Sequence, residues 1–122
     1  MSKTIQSPVP EFPGFIVVPD SLNLRQVSAW QQAVDSSIGM ETTQAVLTCL
    51  PATLDCIEEF RIEHQPAKAA GQTFGADRFV FTPADAATKL FFWAFREVSL
   101  VIFGPGSEAN LPAIGKESEQ QP

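Results

Sequence analysis

The side chains able to do chemistry are few, and they crowd into one stretch: Cys49, Asp55, Cys56, Glu58, Glu59, Glu63 and His64. Paired carboxylates can run acid–base catalysis or hold a metal. On a helix, Asp55 and Glu59, and then Glu59 and Glu63, would be neighbours four apart. No nucleophile or second ligand set accompanies them, and Arg61 interrupts the run. Cys49 and Cys56 would share a helix face about 10 Å apart along the axis, too far for a common metal or a disulfide. The spacing Cys-x6-Cys-x7-His matches no zinc pattern. The expectation is therefore a solvated acidic face or a docking surface for a basic partner, core-edge thiols, and His64 at a helix C-terminus, where it suits the dipole. The chain has one histidine, no tyrosine and no glycine-rich phosphate loop. No catalytic residue, metal ligand or cofactor is expected, and the protein reads as a non-enzyme.

Composition narrows the classes further. The chain has 122 residues, a 44% hydrophobic share and 10 Phe, enough for one domain with a modest core. A net charge of −6 with basic residues scattered singly argues against nucleic acid, which needs concentrated Lys and Arg. Two cysteines make no disulfide framework. No basic stretch followed by an apolar one marks a secretory signal, so a reducing, cytoplasmic setting is expected.

The elements that must position these residues follow from pattern. Residues 1–13 carry Pro8, Pro10 and Pro13 and read as an extended arm outside the core. Gly14 to Val18 reads as a short β-branched strand closed by Pro19. Asn23 caps a helix, with Gln26 in capping-box position; Val27, Trp30, Val34 and Ile38 form its apolar stripe, Arg25, Ser28, Gln32 and Asp35 its wet side, and Gly39 ends it. A second helix is expected from about 42 to about 63, kinked at Pro51, because Val46, Leu50, Leu54, Ile57 and Phe60 keep one helical frame. Residues 65–76 read as a loop, and Phe79 to Phe81 as a short strand to pair with Phe15 to Val18. The expected fold is mainly α: a compact domain of three principal helices with a minor two-strand element over 14–104, then a polar, disordered tail over 105–122.

The third helix carries most of the information. Thr82 is a favoured N-cap, Pro83 suits the first helical position, Asp85 complements the dipole, and Gly104 with Pro105 is a stop. At ~1.5 Å per residue, residues 83–103 would span ~31 Å. Lys89, Arg96 and Glu97 would then lie at depth in a bilayer, and the longest apolar run is only Leu90 to Phe95, so no membrane span is expected. Wound at ~100° per residue, Ala87, Leu90, Phe91, Ala94, Phe95, Val98, Val101 and Ile102 share a core face. Asp85, Thr88, Lys89, Arg96 and Ser99 mark the wet face. Phe92 and Phe103 fall on the wet side, with Trp93 and Leu100 along its edge. Either neighbours within the fold cover this second stripe, or another protein chain does. The candidate partner-binding residues are Phe92, Trp93, Arg96, Leu100 and Phe103.

The order of features carries a resemblance. A proline-rich start leads to Pro13-Gly14-Phe15-Ile16-Val17-Val18-Pro19, then a helix with Trp30 and Ala33. An acidic helix follows, ending Ile57-Glu58-Glu59-Phe60-Arg61-Ile62-Glu63, and last a helix centred on Trp93 closing on Gly104 and a later Pro112. Over roughly residues 12–112 this resembles the small tail assembly chaperones of long-tailed (siphovirus-type) bacteriophages. That resemblance implies a viral protein of the host cytoplasm that coats the tape measure protein and helps recruit tail tube protein. It also implies short and frameshifted forms, and departure before the virion matures. Two other roles compete with it: a minor tail or connector protein retained in the virion, and a small cytoplasmic dimeric regulatory or accessory protein. Self-association is expected in the last case.

Overall fold

The structure, a computed structural model, describes residues 2–10, 12–64, 72–74 and 84–104. In chain order these form β1 (Lys3–Gln6), β2 (Gly14–Val18), α1 (Leu24–Ser37), α2 (Thr42–Asp55), β3 (Glu59–His64), β4 (Gln72–Phe74) and α3 (Ala84–Phe103). The helical expectation holds as far as three helices. The two-strand element is instead a four-stranded antiparallel sheet in the order β1-β2-β3-β4.

The sheet corrects three readings. Residues 72–74, expected within a loop, form β4 against β3. Residues 3–6 are not a detached arm: β1 pairs with β2 with Lys3 opposite Val18 and Ile5 opposite Ile16. Val9 and Phe12, from the same proline-rich stretch, are buried in the core. The second helix does not reach Glu63. It runs through Pro51 to Asp55, and β3 begins at Glu59. The helical frame from Val46 to Phe60 hid a period-two alternation, in which Phe60 and Ile62 point inward while exposed Glu59 and Arg61 point out. His64 therefore closes a strand and not a helix. The expected pairing of Phe79 to Phe81 with β2 involves residues outside those described; both edges of β2 are filled by β1 and β3. Thr82, Pro83 and the tail over 105–122 also lie outside them.

Local signals placed the helices well. The Asn23 side chain accepts from the Gln26 N–H at 2.8 Å, and Gln26 Oε1 accepts from the Asn23 N–H at 3.1 Å, completing the capping box. Gln26 Nε2 also donates to the Asp55 carbonyl at 3.1 Å, so α2 runs back alongside α1. Ile38 leaves the expected stripe: α1 stops at Ser37, the chain turns, and Ile38 is half exposed. Gly104 ends α3 with φ +90°, its N–H donating to the Leu100 carbonyl at 2.8 Å.

All three helices contribute to one core on the inner face of the sheet. Ile16, Val18 and Ile62 from the strands meet Trp30 and Val34 from α1, Val46, Cys49 and Leu50 from α2, and Leu90, Phe91, Phe95 and Val98 from α3. Gly14 opens β2 at φ +141°, where it lies against β3. A Cβ there would land on the Arg61 carbonyl oxygen and within 2.8 Å of Ile62 Cα. Gly14→Ala should therefore destabilise the fold by about 2–3 kcal/mol through backbone strain and separation of two central strands. Urea denaturation followed by circular dichroism checks this; an unchanged midpoint would mean the close approach is not needed.

Candidate interaction surface on the third helix

Helix α3 buries a face that differs from the expected one at both margins: Ala87, Val101 and Ile102, expected in the core, are only partly buried. Leu90, Phe91, Ala94, Phe95 and Val98 are buried, as expected. Ser99 is buried too, which corrects its assignment to the wet face; its hydroxyl donates to the Phe95 carbonyl at 2.8 Å, one turn back. A serine that satisfies itself on its own helix can enter the core without a partner across the interface.

The five candidate residues do not form one uniform stripe. Phe92 is partly buried, packed against the core with its ring edge-on to Phe91 at 5.4 Å. Trp93 is likewise partly buried against the core. Leu100, half-buried, lines a groove between α3 and the sheet. Arg96 is 54% exposed and lies 3.5 Å from the Glu97 carboxylate. Phe103 is 48% exposed, yet one side of its ring meets Trp30 edge-on at 6.1 Å. The fold thus takes up much of Phe92 and Trp93 and leaves Arg96, half of Phe103 and part of Leu100 facing outward.

Trp30 organises this end of the molecule. Fully buried, it stacks on Phe95 at 5.1 Å while holding the inner side of Phe103. Among the described residues its indole N–H has no acceptor, and the ring surface is what fixes it.

The residues that opened the chemical question are dispersed. Glu59 accepts from Arg61 at 2.8 Å on the outer face of β3, while Glu58, in the preceding connection, accepts from the Ser2 hydroxyl at 2.6 Å. The helical spacing expected for Asp55, Glu59 and Glu63 does not exist, because Asp55 ends α2 and the others lie on β3. Among the described residues no group of three or more His, Cys, Asp or Glu could hold a metal. Likewise no described helix is long and apolar enough to cross a membrane. Cys49 and Cys56 are free, buried thiols within the core itself.

The groove beside Leu100 was missed in the sequence. It has a volume of about 260 Å³ and is lined by Lys3 and Ile5 of β1, Val18 to Asp20 at the end of β2, and Glu97, Leu100, Val101 and Gly104 of α3. The one signal for it, the apolar Ile5 alternating with polar neighbours, was too short to stand out in a proline-rich stretch.

No protein family, curated protein or solved structure was found to match this chain.

The thiols give a pH test of core integrity. Burial, reinforced by the neighbouring Asp55 charge, pushes the Cys56 thiol from 9.0 up to about 11. Burial also raises Cys49, partly offset by a hydrogen bond with Ser37. The folded state holds these protons more tightly than the unfolded one. Its stability should be undiminished below about pH 9 and fall as pH rises toward 11. Thermal melts across that range should show the decline, and Cys56→Ala should flatten part of it.

Proposed function

We propose that this chain is a non-enzymatic, protein-binding assembly factor. Its best reading is a tail assembly chaperone of a long-tailed bacteriophage, acting in the host cytoplasm on the tape measure protein and the tail tube protein. The observation that carries this reading is the outer side of α3, where exposed Arg96 and half-exposed Phe103 flank a partly exposed Leu100. An apolar patch bounded by charge suits the side of a helical client. Phe103 is backed by Trp30 and therefore presents a ring already held in place, which lowers the ordering cost of binding. The net charge of −6 would help keep a complex with an apolar client soluble. Phe92 and Trp93 belong to the same surface but contribute mainly through their exposed edges.

Two substitutions separate binding from folding. Arg96→Glu sits on an exposed side chain and should leave stability within about 0.5 kcal/mol. Phe103→Ser should cost about 1.5–2.5 kcal/mol, half the value of a fully buried phenylalanine. Each should weaken capture of a tape measure fragment by about tenfold or more, as loss of a central contact does. Full binding by both variants would sink the role of this surface. Mass spectrometry of purified virions tests the chaperone reading itself: the protein should be missing, and its presence would favour a retained minor tail or connector component.

A further inference from the structure

The outward side of α3 is a single straight strip. Asp85, Lys89, Phe92, Arg96, Leu100 and Phe103 follow one another in steps of four, three, four, four and three. At ~100° per residue they fall within an arc of about 80°, with Arg96 at its centre. Over five turns the strip is about 27 Å long. Asp85, Lys89, Arg96 and Phe103 are exposed, while Phe92 and Leu100 are half-buried. Buried Phe95 and Ser99 bound it on one side and half-buried Trp93 on the other.

The charge along this strip runs against that of the chain. Among the described residues Lys89 forms no ion pair. Arg96 touches Glu97 through Nη1 at 3.5 Å, and that carboxylate is only 12% exposed, so it is turned away from the strip. The other N–H donors of the guanidinium stay free. Asp85 is the strip's one carboxylate, and it sits in the first turn of α3, where the helix dipole already favours it. Lys89 and Arg96 are seven residues apart, about 10.5 Å along the axis, with Phe92 between them. The net charge of −6 would repel an acidic partner at long range, but salt screens charges separated by more than about 8 Å at physiological ionic strength. Contacts made on the strip therefore set the preference.

We propose, on the reading of α3 as the client-binding surface, that the segment seated there is an amphipathic helix with acidic side chains at two positions seven residues apart. One carboxylate meets Lys89 and the other meets Arg96, and the apolar row beside them covers Phe92, Leu100 and Phe103. Steps of three and four match a second helix lying alongside, whereas an extended segment repeats every two residues. The free fork of Arg96 suits a carboxylate in particular, because its parallel N–H groups can donate to both oxygens. A client with Lys or Arg at the two positions brings like charges into contact and is rejected.

Three synthetic helical peptides of about 18 residues test this. They share one leucine row and differ at two flanking positions seven apart, which carry Glu, Gln or Lys. In fluorescence anisotropy at physiological ionic strength, the Glu peptide should bind the full chain about tenfold or more tighter than the Lys peptide, with Gln between. In Lys89→Glu/Arg96→Glu the order should reverse. In Lys89→Gln/Arg96→Gln it should collapse, which keeps the test decisive if the reversed chain does not fold. Equal binding of the three peptides, binding of none, or an order that survives loss of both cations overturns the acidic partner. Capture of a tape measure fragment alongside any of those results leaves the chaperone reading standing, so the two fail separately.

Discussion

The inner face of β2 is the surface on which the other elements depend, because Ile16 and Val18 are buried there beneath the helices while both edges of the strand are hydrogen-bonded to neighbours. A central strand of five residues has little apolar surface of its own. Its stability comes from being covered, by α3 above and by Ile5 and Phe60 on either side. The close approach of β3 to Gly14 ties the sheet together at the point where a side chain would force it apart.

From that surface the helices are layered by aromatic contact. Trp30 of α1 stacks on Phe95 of α3, and Phe91 lies 5.6 Å from Phe95 and 5.4 Å from Phe92. This run of rings carries α3 from the core out to its exposed side. It explains why that helix can be apolar nearly all round without being a membrane span: its rings are shared between a buried face and a half-buried flank. The proposed binding surface is the outer margin of the same aromatic cluster, so its shape is held by the core and not by a loop.

Wherever local chemistry governed, the sequence could be read correctly. The Asn23–Gln26 box, the stop at Gly104 and the burial of Leu90, Phe91 and Phe95 each depend on residues within a turn or two of each other. The errors lie where one pattern served two periods. Val46 to Phe60 fits a helix, yet Glu59 to Ile62 also alternates, and pairing with β2 decided in favour of a strand. Ser99 is polar, yet its hydroxyl is satisfied by its own helix and the residue is buried.

By itself the sequence determined three helices, the capped start of the first, the stop of the third, and an acidic chain with few reactive side chains. Those features come from interactions between near neighbours, which spacing records. Only the tertiary structure decided that residues 3–6 join the sheet, that β2 is central, that Phe92 and Trp93 lean into the core while Arg96 and Phe103 face outward, and that a groove opens beside β1. Each of these depends on segments far apart in the chain meeting across the core, where burial is set by whatever lies opposite and not by the residues on either side.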